Sequence, residues 1–344
     1  QCFIAYTIKG HGTPLAGHRD NHAGLMNLEQ MDVFRSKMQI PEGSEWSAYD
    51  NLLIEPETAK KFCLQAPFNK RPPQENEPPK ITIPDNLPLN FRSSTSTQAS
   101  FGNILNELSR GNTDLASRIV TTSPDVTVST NLGPWVNQRG VFSLDVRNDV
   151  FRDEKVASAQ KWLRHGTGQH FELGIAENNL FIMLAALGLS GPLFGTRLLP
   201  IGTLYDPFIA RGLDSLNYAC YQDARFMLVA TPAGITLAPE GGAHQSISSP
   251  LIGIGQPGLS SYEPAYADEL AVIMRWAFEY MQAEKGGSIY LRLSTRAIDQ
   301  PSREMKPELE NQIIKGAYWH IPPTDGARIA IVYSGAVVPE VIEA

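Results

Sequence analysis

The sequence predicts an α/β protein, a parallel sheet with helices on both faces, and three observations lead there. Short, almost wholly apolar runs at 118–122, 226–230 and 288–293 alternate with helical stretches of ten or more residues. A strand apolar on both sides is a strand covered on both faces. Turn and helix-start signals follow the strand-like runs, as in Tyr205-Asp206-Pro207 and Pro239-Glu240-Gly241-Gly242, and in such sheets ligands bind at the carboxyl ends of strands.

Taken in order, the apolar run 2–7 reads as a buried strand ending at the turn Lys9-Gly10-His11-Gly12, and 26–38 has a helical pattern. Residues 71–89 are so rich in proline that helix and central strand are barred, which makes them an extended linker and a domain boundary. Ser96 or Thr97 can cap a helix with Phe101, Ile104, Leu105 and Leu108 on one side, and 118–122 follows as a strand. Beyond it, 177–189 reads as a buried helix, 193–201 as a strand, 206–221 as a helix, 226–230 as a strand, 265–284 as a long helix and 288–293 as a strand. The run 329–333, followed by Ser334-Gly335-Ala336, opens another α/β unit. The boundaries expected are 1–40, a linker 41–94, a central domain 95–310 and the start of a further domain at 325–344. A first residue inside a strand and a last one inside a helix suggest a fragment.

A net charge of -7 with scattered Lys and Arg argues against a nucleic-acid partner. Cys2, Cys63 and Cys220 lie far apart with no ligand spacing, so neither a disulfide framework nor a zinc site is expected, and a cytoplasmic setting is the default. No apolar run is long enough for a membrane span, and the first residues lack the features of an export signal.

Several groups of residues carry chemistry. Glu177 opens an otherwise apolar helix. A carboxylate there is ordinarily a solvated partner of the helix dipole, but burial of this helix would draw it into a low-dielectric setting where an acid shares a proton with a ring nitrogen. Tyr205 and Phe208 flank the helix start at Asp206-Pro207 and could be core, or could stack on a flat heterocycle. Glu240 and His244 share a glycine-rich loop whose backbone can approach a ligand while the histidine titrates near neutrality. Lys9, His11, His18 and His22 are dense, yet no carboxylate or thiolate completes a metal set among them, so anion contact is expected and no metal site. Arg292 and Arg296 follow the last strand of the central domain, where they could hold a sugar phosphate.

The ordered motifs TIKGHG, GHRDNHAG, ELGIAENN, LYDPFIAR, PEGGAHQ and IAIVYSGAVV resemble those of thiamine diphosphate enzymes of the transketolase and 2-oxoacid dehydrogenase E1 superfamily, nearest to the homodimeric pyruvate dehydrogenase E1 type. That resemblance covers the chain from Thr7 to its end. It implies a ThDP-binding fold, with 1–40 the end of the diphosphate-binding domain, 95–310 the pyrimidine-binding domain and 325–344 the start of the C-terminal domain. It gives Glu177 the carboxylate that drives the aminopyrimidine into its imino form, Phe208 the stacking face and Tyr205 a place beside the reaction centre. To His244 with Glu240 it gives proton transfers in the substrate pocket, to Lys9 a cofactor and substrate contact, and to His22 a place on a loop over the substrate. Asp125, in a segment similar to transketolase, becomes a candidate near the thiazolium. The GDGxxN motif that holds Mg²⁺ is absent from this sequence, so the metal is expected on a complementary diphosphate-binding domain supplied by a homodimer or another chain, with a lipoyl-bearing E2 acyltransferase as partner. The activity implied is decarboxylation of a 2-oxo acid, pyruvate first. The alternatives are two-carbon transfer of the transketolase or deoxyxylulose-phosphate synthase type, and a noncatalytic assembly subunit.

Overall fold

The computed structural model describes residues 2–66, 69, 78–145 and 148–344, which form two compact units, Gln1–Gln74 and Glu75–Ala344. In the first, a loop is stapled by the Asn21 amide, which donates to the carbonyls of Lys9 (3.2 Å) and Leu15 (2.6 Å). Helix α1 (Leu28–Lys37) starts at a capping box of Asn27 and Gln30, and α2 (Pro56–Gln65) follows, with proline at a helix start where its missing N–H costs nothing. The strand expected at 2–7 does not form. Phe3, Ile4 and Tyr6 are exposed, and with no neighbouring strand described in this unit, an apolar run has no ladder to join. Of the proline-rich stretch at 71–89, the part up to residue 77 lies outside the described residues, and 78–89 has no helix or strand and bends at Asp85 and Asn86.

The second unit begins with β1 (Ser94–Thr95) and α3 (Thr97–Arg110), capped by Ser96 as its sequence requires. Then come α4 (Asp114–Arg118), β2 (Ile119–Ser123), α5 (Gly133–Arg139), β3 (Val141–Phe142), α6 (Val150–Asp153), β4 (Arg164–His165) and β5 (His170–Glu172). Next are α7 (Glu177–Gly188), α8 (Ser190–Phe194), β6 (Leu199–Leu204), α9 (Leu213–Tyr221), β7 (Met227–Ala230) and α10 (Ser249–Gly255). The unit closes with β8 (Leu259–Tyr262), α11 (Ala267–Tyr280), β9 (Ser288–Arg292), β10 (Ile298–Asp299), α12 (Pro307–Lys315) and α13 (Val338–Glu343). Strands β4, β3, β5, β2, β6, β7, β9 and β8 form, in that order, one eight-stranded sheet whose described pairings are all parallel, while β1 and β10 pair antiparallel.

Alternation along the strands divides the core. Ile201, Met227, Val229, Ile289 and Leu291 join Phe101, Ile104, Trp135, Leu270, Met274 and Phe278 on the α3, α5 and α11 side. Leu204, Leu228, Ala230 and Tyr290 join Leu180, Phe181, Leu184 and Leu216 on the α7 and α9 side. The period of two sends each strand's residues to both layers, so its sequence reads as continuously apolar.

Three expectations need correction here. Residues 193–201 are not one strand: α8 runs to Phe194 and β6 starts at Leu199. Helix α7 is not buried all round. Leu180, Phe181 and Leu184 are covered, but Ile182 is 54% exposed, and Leu193 and Phe194 of α8 are likewise exposed. Residues 329–333 form no strand, and Ile329, Ile331 and Val332 are exposed, while a short helical turn at Gly335–Val337 leads into α13.

Candidate active site

Glu177 is the first residue of α7, where the unpaired N–H groups and helix dipole favour a carboxylate. It is 9% exposed. The expected burial is met, but the surroundings are not apolar throughout, because Arg211 Nη1 donates to Glu177 Oε1. That same guanidinium lies 3.9 Å from the centroid of the Phe208 ring. One cation therefore spans the carboxylate and the aromatic face.

The segment after β6 presents both aromatics. Residues 206–221, expected as a single helix, are a 3-10 turn, Asp206–Gly212, followed by α9. The break falls at Gly212, where a Cβ would lie 2.3 Å from Phe181 Cδ2. Glycine thus lets this segment press against α7, which brings Arg211 to Glu177. Asp206, read from sequence as a helix start, is fully buried and tied to groups on other elements.

After β7 the chain loops through Glu240 and His244. Ring centroids of His244 lie 5.9 Å from Tyr205 and 5.5 Å from Phe208, both edge-on, and Tyr205 stacks at 5.9 Å from Phe208. Glu240 Oε2 is 3.8 Å from His244 Nε2, within ion-pair reach when the imidazole is protonated. His244 Nδ1 is buried and has no hydrogen-bond partner among the described residues. Such an atom is open to a ligand or water.

Asp125 sits after β2 in a left-handed conformation, φ 65°. Its backbone N–H donates to Glu172 Oε1 at 2.9 Å, and Thr127 Oγ1 donates to Glu172 Oε2 at 2.7 Å. Thr127 Oγ1 also lies 3.1 Å from Nε2 of the fully buried His170, whose Nδ1 is 2.9 Å from Thr121 Oγ1. Burial works to raise the Glu172 pKa, but the bonds from His170, Thr127 and the Asp125 N–H outweigh it and hold the group below the usual carboxylate range. Glu172 and His170 were not singled out from sequence. The available signal was their spacing: two polar residues two apart in a strand point to one face.

Glu177, Asp125, Tyr205, Phe208 and Arg211, with Pro124, Val126, Ile175 and Leu204, line one cavity of about 160 Å³ at the carboxyl ends of β2 and β6. His244 abuts its two aromatics, and Glu240 abuts His244. Arg292 does not join them as a substrate contact. It is 4% exposed and paired with Asp206 and Glu263, while Arg296 is paired with Glu340. The expected sugar-phosphate role for these arginines is not supported, since their charges are already satisfied. In the first unit, Lys9 Nζ lies 2.8 Å from His22 Nδ1, both exposed. No group of three His, Cys, Asp or Glu side chains among the described residues has the arrangement of a metal site.

A carboxylate beside an aromatic face, at the carboxyl edge of a doubly covered parallel sheet, suits a flat, basic nitrogen heterocycle. The fold is that of the pyrimidine-binding domain of thiamine diphosphate enzymes. It is shared with a transketolase variant from Pichia stipitis, with TM-score 0.58 and 18% identity over 92% of this chain and 40% of that one. At that identity the likeness concerns the fold alone. The sequence matches the pyruvate dehydrogenase E1 component middle domain over residues 91–299, and the chain belongs to that family. It is 26% identical over 361 residues to the pyruvate dehydrogenase E1 component of Cupriavidus necator, and 28% identical over 366 residues to that of Pseudomonas aeruginosa. Each alignment covers 99% of this chain and 40% of the relative, so the chain spans well under half the length of the proteins it matches.

Proposed function

We propose that this chain supplies the pyrimidine side of the active site of a pyruvate dehydrogenase E1 component, which decarboxylates a 2-oxo acid and passes the acyl unit to a lipoyl-bearing E2 partner. The observation that carries this is the convergence of Glu177, Phe208, Tyr205 and His244 at one sheet edge in a chain of the E1 middle-domain family.

Glu177 and Phe208 fit an aminopyrimidine ring: the carboxyl group can hold a proton toward a ring nitrogen while the phenyl face supports the ring. When bound, thiamine diphosphate would supply the carbon nucleophile and the electron sink that decarboxylation of a 2-oxo acid needs. Arg211 now lies over the Phe208 face and against Glu177. A ring seated there has to share that carboxylate or move the guanidinium aside. His244 can hold or deliver a proton at Nε2, with Glu240 close enough to steady its charged form. Tyr205 and Asp125 border the same cavity. Lys9 and His22 are assigned to anion contact in the first unit. Mg²⁺ and the diphosphate are assigned to a complementary diphosphate-binding domain, from a second copy or another chain. The exposed apolar side chains Ile182, Leu193 and Phe194 support such a partner. Among the described residues no helix is long and apolar enough to cross a membrane, and a cytoplasmic location is part of this reading.

The test uses the full-length parent protein with thiamine diphosphate, Mg²⁺ and pyruvate. Ferricyanide should be reduced, and Glu177→Ala should lower the rate by several orders of magnitude, on the scale of losing a preorganised catalytic group. Turnover of ketose phosphates without any 2-oxo acid would favour two-carbon transfer, the reading that Asp125 on the cavity wall supports. An unaffected Glu177→Ala protein would point to an assembly subunit.

A further inference from the structure

Asp206 lies between Tyr205 and Phe208 in sequence, yet its carboxylate is turned away from solvent and is fully buried. Four side chains converge on it. Ser246 and Ser249 donate to Oδ2, the latter at 2.5 Å, and Arg292 donates to Oδ2 from Nε (3.3 Å) and Nη2 (3.1 Å). Tyr290 donates to Oδ1 at 2.5 Å. An ionised carboxylate accepts about four hydrogen bonds, and five reach this one, four of them at Oδ2.

The donors are not equivalent. Tyr290 and Arg292 belong to β9 and are fixed by the sheet. Ser246 and Ser249 stand just after the loop that carries Glu240 and His244. Ser246 closes the neck of that loop: its N–H donates to the Gly234 carbonyl at 2.9 Å, and its Oγ accepts from the Gly234 N–H at 3.0 Å. Gly241 and Gly242 within the loop meet nothing within 4 Å where a Cβ would be. The loop tip is open at these two glycines, and its neck is fastened to a buried carboxylate.

We infer that Asp206 is a positioning residue, which clamps the neck of the His244 loop to the Tyr205–Phe208 segment and so sets the three-ring arrangement of His244, Tyr205 and Phe208. The hydrogen bonds of the carboxylate go to Ser246, Ser249, Tyr290 and Arg292 and to none of those rings. It acts by holding, on one atom, the strand end that bears the aromatics and the loop that bears the histidine. Arg292 counters the buried charge that makes this possible, while its Nη1 donates to Glu263. The geometric part stands independently of the proposed reaction, whereas its consequence for catalysis rests on that reading.

The experiment compares Asp206→Asn and Ser246→Ala/Ser249→Ala with the parent chain, using histidine-selective NMR and amide hydrogen exchange. An asparagine keeps one carbonyl oxygen and presents an NH₂ to groups that are themselves donors. The double serine variant removes the loop anchors and leaves Asp206 paired with Arg292 and Tyr290, so it stays informative if the asparagine variant does not fold. His244 should lose the ring-current shift imposed by Tyr205 and Phe208, and amides of 234–246 should exchange faster. The signal of His170, buried away from the loop, should stay in place and so exclude general unfolding. An unmoved His244 signal with unchanged exchange in the double serine variant overturns the clamp. In the full-length enzyme, displacing His244 by about 1 Å should cost kcat on the order of 10²-fold with KM little changed. A moved His244 signal with unaltered kcat would leave the clamp standing and overturn the catalytic assignment of His244.

Discussion

The contact of Arg211 with both Glu177 and Phe208 can be measured without any ligand, by a double-mutant cycle of Arg211→Ala and Glu177→Gln. The Glu177 side chain is 10% exposed and that of Arg211 is 51% exposed. Stripping the partner from a buried charge costs about 3–5 kcal/mol, but an exposed ion pair is worth about 0–1 kcal/mol, and this pair lies between the two. Allowing for solvent around the guanidinium, Arg211→Ala is expected to cost about 1–2 kcal/mol, including about 0.5 kcal/mol from the stacking on Phe208. For a domain of this size each kcal/mol moves Tm by about 2–4 °C, so a drop of about 2–8 °C is expected in the single variant. Glu177→Gln in the Arg211→Ala background should cost less than in the parent, because the carboxylate is already unpartnered there. The coupling, read from thermal or urea unfolding, should be about 1 kcal/mol. Strictly additive single and double variants would refute the idea that Arg211 is held by Glu177.

Glu172→Gln should alter acid stability with a defined sign. A carboxylate whose folded pKa is depressed contributes stability above its unfolded pKa and loses it as pH falls through the folded value. The variant should thus be less stable than the parent near neutrality, by about 1–3 kcal/mol for bonds to a charged acceptor, and the difference should vanish in acid-titrated melts; a gap that grows in acid would contradict this. Gly212→Ala places a methyl against Phe181 and should cost about 1–3 kcal/mol in urea unfolding, with a neutral outcome showing that α7 yields. Thiol labelling at pH 8 should show Cys2 and Cys63, both exposed, reacting first. Cys220 should lag because burial pushes its thiol up to about 11, and equal rates would show that it is accessible.

The layered sheet was legible because its strands are apolar on both sides and its helices carry caps, as Ser96 and its helix show. The run 2–7 is equally apolar and fails, since a strand is a property of a pair and the sequence of one member does not reveal the other. Residues 193–201 failed for a related reason: Leu193 and Phe194 have the composition of a strand but continue a helical turn, with Gly195 in the left-handed conformation that ends it. Glu177, Tyr205, Phe208 and His244 could be named from local chemistry beside strand ends. The pairing of Arg292 with Asp206 could not, because Asp206 follows β6 and Arg292 ends β9, and the two meet only when β6, β7 and β9 are laid side by side. The polarity of Arg292 was visible in the sequence; its burial was not.

The order of the sheet explains why a cavity exists at all. From β2 the chain departs toward β3, and from β6 it departs toward β7, so the two central neighbours send their connections to opposite sides. At such a switch point a crevice opens between the two strand ends, and Asp125, which follows β2, and Phe208, which follows β6, both line it. The crevice is a product of winding direction, while its occupants decide which molecule it accepts. Exchanging those side chains would therefore alter selectivity long before it erased the cleft.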